Sequence, residues 1–171
     1  MQAQHIAIIG YGTAGQAAAL LLARDGHRVE VFERAPELGP AGAGFLLQPT
    51  GLQVLWELGL LPEVMAHGRR VNRLYGETPC GRAVMDMRYA GLDARLFGVG
   101  MQRGALFALL ASAWAEHGEV HRGHAIEEVS DDTRRIRDQH GRWHGPFDLV
   151  IAADGSASKL RGFTGAVTRA A

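Results

Sequence analysis

The chain has 171 residues, 47% of them apolar and 21% charged, and its 18 basic and 18 acidic residues give a formal net charge of zero. This composition predicts one globular domain with its own core. There is no basic run to favour binding of nucleic acid, and no apolar run approaches the roughly 18 residues of a membrane span. The single cysteine, Cys80, excludes an internal disulfide. Because the N-terminus also shows no signal-peptide pattern, we expect a cytoplasmic protein.

The first 34 residues predict a βαβ unit. "HIAIIG" is a short apolar run that ends in glycine, as a buried parallel strand does. Residues 14–24 are apolar almost all round, which indicates a buried helix, and Gly26 ends it. "RVEVFE" follows as the second strand, so strand, glycine turn, helix and strand fit within about thirty residues.

The middle of the chain mixes a long loop with short helices. Residues 35–49 are rich in glycine and proline and predict a loop. Thr50 begins a helix in the manner of a capping box, with Gln53 three residues later, and Gly59 closes it. A second short helix, "LPEVMAH", ends at Gly68.

The second half predicts a hairpin, a helix and a small sheet. "RLYGETPCGRAVMDMR" alternates and turns at residues 79–81, which is typical of a hairpin. Residues 104–117 carry a helical stripe of apolar side chains, and short polar strands follow over residues 120–147 as an antiparallel meander. "DLVIAADG" predicts a last buried strand that ends in Asp154-Gly155.

The glycine motif Gly10-x-Gly12-x-x-Gly15 follows the first strand and opens the first helix. Gly10 permits the tight turn, Gly12 lets the backbone approach a pyrophosphate, and Gly15 lets helix and strand pack closely. The N–H groups of Thr13 and Ala14 lie at the helix N-terminus, where the helix dipole favours negative charge. In this context the motif predicts a dinucleotide site, whereas a glycine-rich turn alone would not.

Three charged positions fit the same site. Glu33 ends the second strand about twenty residues after the glycines, where an acid accepts hydrogen bonds from a ribose diol and repels the 2′-phosphate of NADP. The adjacent Arg34 is placed to stack on adenine or touch a phosphate. Arg103 opens a helix against its dipole, so pairing with a pyrophosphate would compensate it, although a purely structural arginine is equally supported.

Asp154-Gly155 ends a strand at the edge where a parallel sheet meets its ligand, although Asp-Gly is also ordinary turn chemistry. A hydrolase is disfavoured because "GSAS" does not match G-x-S-x-G. No residue presents itself as a catalytic acid or base.

The eight histidines do not cluster at a metal-binding spacing along the chain. The pairs His121/His124 and His140/His144 come nearest to one, and the second flanks a turn. We therefore expect no metal site.

These pieces, in this order, resemble the N-terminal half of the FAD-dependent aromatic hydroxylases, the class A flavoprotein monooxygenases related to p-hydroxybenzoate hydroxylase. "GYGTAG" with "VFER" is similar to the family's glycine fingerprint, and "GAGFLLQPTGLQVLWELGL" to its following loop and helix. "MQRGALFALL" resembles its arginine-containing FAD segment. "DLVIAADGSASKLR" resembles its DG motif, with Asp154, Gly155, Ser158 and Arg161 in the expected places.

The resemblance implies FAD in the glycine motif, with Glu33 at the adenosine ribose and Arg103 at the pyrophosphate or ribityl part. It links Asp154 to both FAD and NAD(P)H and places the Gly42–Gly44 loop near the flavin, so Gly44 joins the cofactor-binding residues. The implied reaction uses NAD(P)H as co-substrate to reduce FAD. A C4a-hydroperoxyflavin then hydroxylates a small aromatic substrate.

The expected fold is α/β, with a Rossmann-like βαβ, a small antiparallel meander and part of a substrate-domain hairpin. Residues 1–70 and 100–171 would form the nucleotide-binding part, and residues 71–99 would begin the substrate-domain sheet. The C-terminal half of the family fold would be missing, so we expect the chain alone to be incapable of turnover. Uncovered sheet edges and apolar faces would favour either association into a homo-oligomer or poor stability.

Three alternatives stay open at this point. The chain could be a non-catalytic nucleotide-binding remnant of the same fold. It could also belong to a related flavoenzyme, such as a halogenase or a geranylgeranyl-reductase-like enzyme. A plain NAD-binding module is disfavoured by Arg103 and the Asp154-Gly155 motif.

Overall fold

The computed structural model describes residues 2–39 and 43–164. The strands are β1 His5–Ile9, β2 Arg28–Glu33, β3 Gly44–Leu47, β4 Arg69–Val71, β5 Arg73–Glu77, β6 Ala83–Arg88, β7 Gly98–Gln102, β8 Val120–Arg122, β9 Ile126–Val129, β10 Ile136–Asp138, β11 Trp143–His144 and β12 Leu149–Ala152. The helices are α1 Thr13–Arg24, α2 Pro49–Glu57, α3 Leu61–His67 and α4 Arg103–Trp114, with 3-10 turns at Tyr89–Gly91 and Leu160–Thr164. The fold is α/β, as the sequence predicts.

The contacts divide the chain into two compact units, Met1–Gly39 with Leu110–Ala171, and Pro40–Leu109. The boundary between them falls inside α4. The proposed assignment of residues 71–99 to a substrate-domain sheet stays a prediction.

The first unit is built on a parallel sheet with strand order β12-β1-β2-β8. Its central strand β1 is almost wholly apolar, and Ile6, Ala7 and Ile8 are fully buried. Because successive side chains of a strand point to opposite faces, such a strand needs cover on both sides. Helix α1 covers the face of Ile8, and it ends before Gly26, which takes the left-handed backbone conformation at φ +85°.

The antiparallel sheet β11-β10-β9 covers the other face of the parallel sheet. One buried apolar cluster joins the two layers: Ala7, Ile9, Phe32, Ile126, Val129, Ile136, Phe147 and Leu160. Burying a side chain as large as phenylalanine or isoleucine contributes about 1.5–3 kcal/mol, so this cluster is a main source of stability for the unit.

The second unit contains the antiparallel sheet β3-β7-β4 and the separate hairpin β5-β6. Helices α2 and α3 pack against the first of these sheets, where Val64 of α3 is fully buried. The hairpin is much more exposed, with Tyr75, Val84 and Met85 between 47% and 67% accessible.

Four local expectations are wrong. The predicted loop of residues 35–49 contains β3, which pairs with β7. Helix α2 begins at Pro49, its N-cap Gln48 makes no side-chain capping bond, and so the capping box at Thr50 does not form. Strand β8 pairs with β2 in the parallel sheet instead of joining the meander. Strand β12 is partly exposed, because it pairs only with β1 among the described strands.

The N-terminal helix also differs from its expected all-round burial. Its buried residues Gly15, Gln16, Ala19 and Leu20 form one face, and the rest of α1 is partly or fully exposed. The helix is buried along that one face only, so its other apolar side chains stay partly exposed. Among the described residues, no helix combines the length and the hydropathy needed to cross a bilayer.

Candidate nucleotide-binding site

Gly10 makes the turn from β1 towards α1 and lies against the end of β12. Its φ is +102°, a conformation that favours glycine, and its N–H donates to the carbonyl of Phe32 at 2.8 Å. A Cβ atom at Gly10 would lie only 2.5 Å from the carbonyl oxygen of Ala153 and 2.9 Å from the Cα of Asp154. The structure therefore brings the first glycine and the Asp154-Gly155 motif together.

Helix α1 begins with unsatisfied donors at the same edge of the sheet. Gln16 donates the first helical hydrogen bond, to the carbonyl of Gly12 at 2.9 Å, so the N–H groups of Thr13, Ala14 and Gly15 precede the helical ladder. Gly12 is the N-cap residue and makes no side-chain capping bond. Helix α1, which is described in full, has no acidic residue in its first turn. An anion placed here would meet three donors and the positive end of the helix dipole.

The middle glycine of the motif, Gly12, faces open space. A Cβ at Gly12 would have no heavy atom within 4 Å, and its φ of −72° is ordinary. By contrast, a Cβ at Gly15 would lie 1.9 Å from the carbonyl oxygen of Gly10. The opening at Gly12 and the donors beside it fit a pyrophosphate, and Gly15 is required for packing of α1 on the turn.

Glu33 is fixed to this turn by both oxygens of its carboxylate. Oε2 accepts from the N–H of Tyr11 at 2.7 Å, and Oε1 accepts from the N–H of Ala35 at 2.9 Å. Each carboxylate oxygen has a further acceptor site, so two hydroxyl groups of a ribose can still be bound. The sequence missed this supporting role. The neighbouring Arg34 is exposed.

The Asp154-Gly155 motif forms a tight turn beside Gly10. Gly155 has φ +88°, its carbonyl accepts from the N–H of Ser158 at 3.2 Å, and Arg161 donates to the carbonyls of Ser156 at 2.6 Å and Gly155 at 3.4 Å. Arg161 thus holds the turn through its backbone, which the sequence does not reveal.

A shallow pocket opens beside this turn. It has a volume of about 190 Å³ and is lined by Ala152, Asp154, Gly155, Ser158, Leu160 and Arg161. Because sites for drug-sized ligands span about 300–1,000 Å³, this pocket is large enough only for part of a dinucleotide.

The second unit carries the other two predicted cofactor residues. Gly44 pairs with Gln102 across β3 and β7, and Gln102 directly precedes Arg103, so Gly44 and Arg103 are neighbours within this unit. The Arg103 guanidinium lies over the ring of Phe45 at 5.5 Å, a cation–π contact that gives it a local partner. Gly42, the other end of the predicted flavin loop, lies outside the described residues.

A family model described as "FAD binding domain" matches residues 3–169. The chain belongs to this FAD-binding family. FAD as the cofactor and the α/β fold are therefore confirmed, and named hydroxylases and monooxygenases among the relatives confirm the resemblance to the aromatic hydroxylases.

The relatives of this FAD-binding chain are named hydroxylases and monooxygenases. 3-Amino-4-hydroxybenzoate 2-monooxygenase from Streptomyces cremeus is 35% identical over 91% of this chain and 41% of its own length. 3-Hydroxybenzoate 6-hydroxylase from Polaromonas naphthalenivorans is 31% identical over 91% of this chain and 41% of its own length. The chain spans about two fifths of the length of the curated relatives that it matches.

Among solved structures, the tetrameric form of 2-methyl-3-hydroxypyridine-5-carboxylic acid oxygenase superposes with a TM-score of 0.82. It is 27% identical, and the match covers 96% of this chain and 43% of that chain. The fold described above is therefore that of an experimentally known oxygenase over nearly all of the present chain.

Two buried polar side chains follow Gly10 in the sequence, and the sequence analysis missed them. Tyr11 is 3% exposed and Gln16 is fully buried. Burial raises the pKa of the Tyr11 phenol, and a hydrogen bond from Gln16 opposes the rise without cancelling it. The Tyr11 phenol is therefore uncharged at neutral pH. The only signal in the sequence is a glutamine on the inward face of an apolar helix, which is too common to be specific.

Proposed function

We propose that this chain forms the FAD-binding portion of a flavin-dependent monooxygenase that hydroxylates a small aromatic compound with NAD(P)H as co-substrate. The observation that carries the proposal is the open, donor-lined turn at Gly12 beside Glu33, in a chain of the FAD-binding family. Bound FAD supplies the redox and oxygen chemistry, while the residues of the chain bind it and hold it in place.

In this proposal the predicted cofactor residues bind different parts of FAD. Gly10, Gly12, Thr13, Ala14 and Gly15 hold the pyrophosphate, since their donors and open space fit an anion. Glu33 binds the adenosine ribose, with Arg34 at the adenine or a phosphate. Arg103 serves the pyrophosphate or ribityl part, Gly44 belongs to the loop near the flavin, and Asp154 with Gly155 serves both FAD and NAD(P)H.

The substrate class rests on the relatives. One is named for 3-amino-4-hydroxybenzoate and another for 3-hydroxybenzoate. We accordingly assign a hydroxylated or aminated aromatic acid to the protein that carries this domain. In the protein that carries this domain, oxidation of NAD(P)H should rise when such a compound is added with FAD, and the absence of any stimulation across a panel of these acids would argue for the non-catalytic remnant. The chain of 171 residues alone should show no such stimulation.

The setting and assembly are also proposals. A cytoplasmic location is supported by the single, exposed thiol of Cys80, which a reducing compartment keeps free. Association into a homo-oligomer is supported by the tetramer named for the pyridine oxygenase. Light scattering of the purified protein measures its assembly directly.

The decisive test of the cofactor site is a calorimetric titration of the untagged chain with FAD, ADP, FMN and NAD⁺. Because the site in the first unit contacts the pyrophosphate and adenosine ribose, ADP should compete with FAD, whereas FMN lacks the adenosine half and should not. A plain NAD-binding module would instead bind NAD⁺ at least as tightly as FAD, which would overturn the assignment.

A further inference from the structure

A cluster of two imidazoles and one carboxylate lies near the end of β2, between the parallel sheet and the antiparallel sheet. His124 follows β8, Asp138 ends β10, and His144 ends β11. The sequence analysis expected no metal site, because it compared histidines by their spacing along the chain. It missed that His124 and His144 meet across Asp138.

The ligand atoms of this cluster are already close. Nδ1 of His124 lies 3.2 Å and Nε2 of His144 lies 2.9 Å from the same oxygen, Oδ2 of Asp138. All three ligand atoms lie within 4.8 Å of one another. For ligands about 2.05 Å from an ion, separations of 2.9 and 3.2 Å correspond to angles of about 90° and 103°. Zinc and similar ions accept such angles. Because two ligands of one such ion lie at most about 4.1 Å apart, binding must also bring the two imidazole nitrogens within that distance of each other.

The Asp138 carboxylate is oriented so that one oxygen, Oδ2, faces the two imidazoles. Its other oxygen, Oδ1, accepts from the N–H groups of His140 at 2.9 Å and Arg142 at 3.0 Å. Only 1% of the Asp138 side chain is exposed. Hydrogen bonds of this kind orient metal-binding carboxylates, and a buried negative charge gains from a nearby cation.

The two imidazoles are also fixed by their surroundings. The backbone N–H of His124 donates to the carbonyl of Glu33 at 2.9 Å, and His144 pairs with Ile136 across the meander. The buried ring of Phe32 contacts His144 edge-on at 5.1 Å. The His124 side chain keeps 27% of its surface exposed and that of His144 keeps 14%, which leaves access from solvent.

We propose that His124, Asp138 and His144 form a binding site for one divalent transition-metal ion of the zinc class, with water completing the coordination. The ion bonds to His124 Nδ1, His144 Nε2 and Asp138 Oδ2 and so joins the end of β8 to β10 and β11 of the meander. Neutral imidazole and carboxylate are the ligand types such ions prefer, whereas Mg²⁺ prefers oxygen ligands alone. Its role is to stabilise the fold, and the proposal does not depend on flavin binding.

The test uses the untagged chain, freed of metal with a chelator, and a titration with Zn²⁺ followed by calorimetry. We expect binding of one ion per chain, a higher melting temperature with Zn²⁺, no such rise with Mg²⁺, and d–d absorption bands when Co²⁺ replaces Zn²⁺. Failure of the wild-type chain to bind Zn²⁺, or binding without thermal stabilisation, overturns the proposal.

Two variants identify the ligands while keeping a hydrogen bond to Asp138. His124→Asn places an amide nitrogen near the position of Nδ1, and His144→Gln places one near Nε2. Each should lower Zn²⁺ affinity by at least about 10-fold, the lower bound for losing even a supporting partner of a ligand. His117→Gln, at an exposed histidine outside the cluster, should not change it.

Circular dichroism checks that each variant is folded. If one variant does not fold, the other still decides, and X-ray absorption of the Zn²⁺-loaded wild type reports the imidazole ligands directly. Unchanged affinity in a folded variant, or a spectrum without two imidazole ligands, would show that Zn²⁺ binds adventitiously.

Discussion

Gly12→Ala and Gly15→Ala add the same methyl group at two points of one glycine motif, with opposite expected effects. At Gly15 the new Cβ would lie 1.9 Å from the carbonyl oxygen of Gly10 and 3.0 Å from its carbonyl carbon. Both atoms belong to the backbone of a turn that is itself packed against Ala153. Helix α1 must therefore move away from β1 by more than an ångström, which disturbs its buried face.

The loss of stability in Gly15→Ala depends on which atoms the new Cβ meets. Overpacking typically costs 1–3 kcal/mol, and because neither partner here is a flexible side chain we expect about 3 kcal/mol or more for Gly15→Ala. In a chain of this size 1 kcal/mol corresponds to about 2–4 °C, so the melting temperature should fall by about 6–12 °C. Loss of FAD binding then follows from the disturbed turn.

Gly12→Ala meets no atom within 4 Å and requires no unusual backbone angle. Alanine is a poorer N-cap than glycine, but it also costs less backbone entropy, so the free energy of unfolding should change by less than about 1 kcal/mol. The methyl group would nevertheless occupy the space that we assign to the pyrophosphate. We therefore expect the affinity for FAD to fall at least 10-fold, which corresponds to a loss of about 1.4 kcal/mol or more of binding free energy.

Differential scanning fluorimetry and FAD titration of the same preparations separate the two effects. Gly91→Ala is the matched control, because a Cβ there also meets open space and lies outside the glycine motif. Gly12→Ala binding FAD as tightly as the wild type would refute the pyrophosphate assignment. Gly15→Ala melting at the wild-type temperature would refute the steric reasoning.

Three further predictions concern stability. Glu33→Gln should cost about 1–3 kcal/mol in urea denaturation, because one oxygen that accepts a backbone N–H, such as that of Tyr11, becomes a donor; unchanged stability would contradict that role. Burial acts to raise the pKa of Glu30, but the hydrogen bond to His5 and neighbouring positive charge lower the pKa overall. The Glu30 carboxylate should therefore stabilise the fold above about pH 4.5, and this stabilisation should be lost as the pH falls through the lower pKa of the folded state. Glu30→Gln should therefore destabilise the chain at neutral pH and much less in acid, and an equal cost at both would contradict this. Leu160→Ala removes a 2% exposed side chain and should cost about 2–5 kcal/mol, whereas a cost below 1 kcal/mol would mean that the cluster repacks.

The predictable part of the fold is the part controlled by local sequence. The glycine turn, α1 and strands β1 and β2 follow from an apolar run, a helical stretch and a glycine at each end, all within 34 residues. Cofactor identity was equally accessible, because the family motifs are short and ordered along the chain.

What the sequence could not supply depends on contacts between distant segments. Strand β8 has the polar, short pattern of the meander strands, and only its parallel pairing with β2 assigns it to the main sheet. Arg161 acts through backbone carbonyls, which have no sequence signature. The metal cluster combines residues from three segments, and its members become neighbours only when the meander folds over Phe32.

The three glycines of the motif differ in whether the fold has room for a side chain, and this difference bears on whether the chain still binds a nucleotide. Gly10 and Gly15 are required by the fold itself, so a non-binding remnant would have to keep both. Gly12 is different, because the fold offers room for a side chain there and serine, asparagine or aspartate would cap α1 better. A remnant has no reason to keep this glycine, whereas a chain that binds a pyrophosphate does, and Gly12 therefore favours retained FAD binding over the remnant alternative.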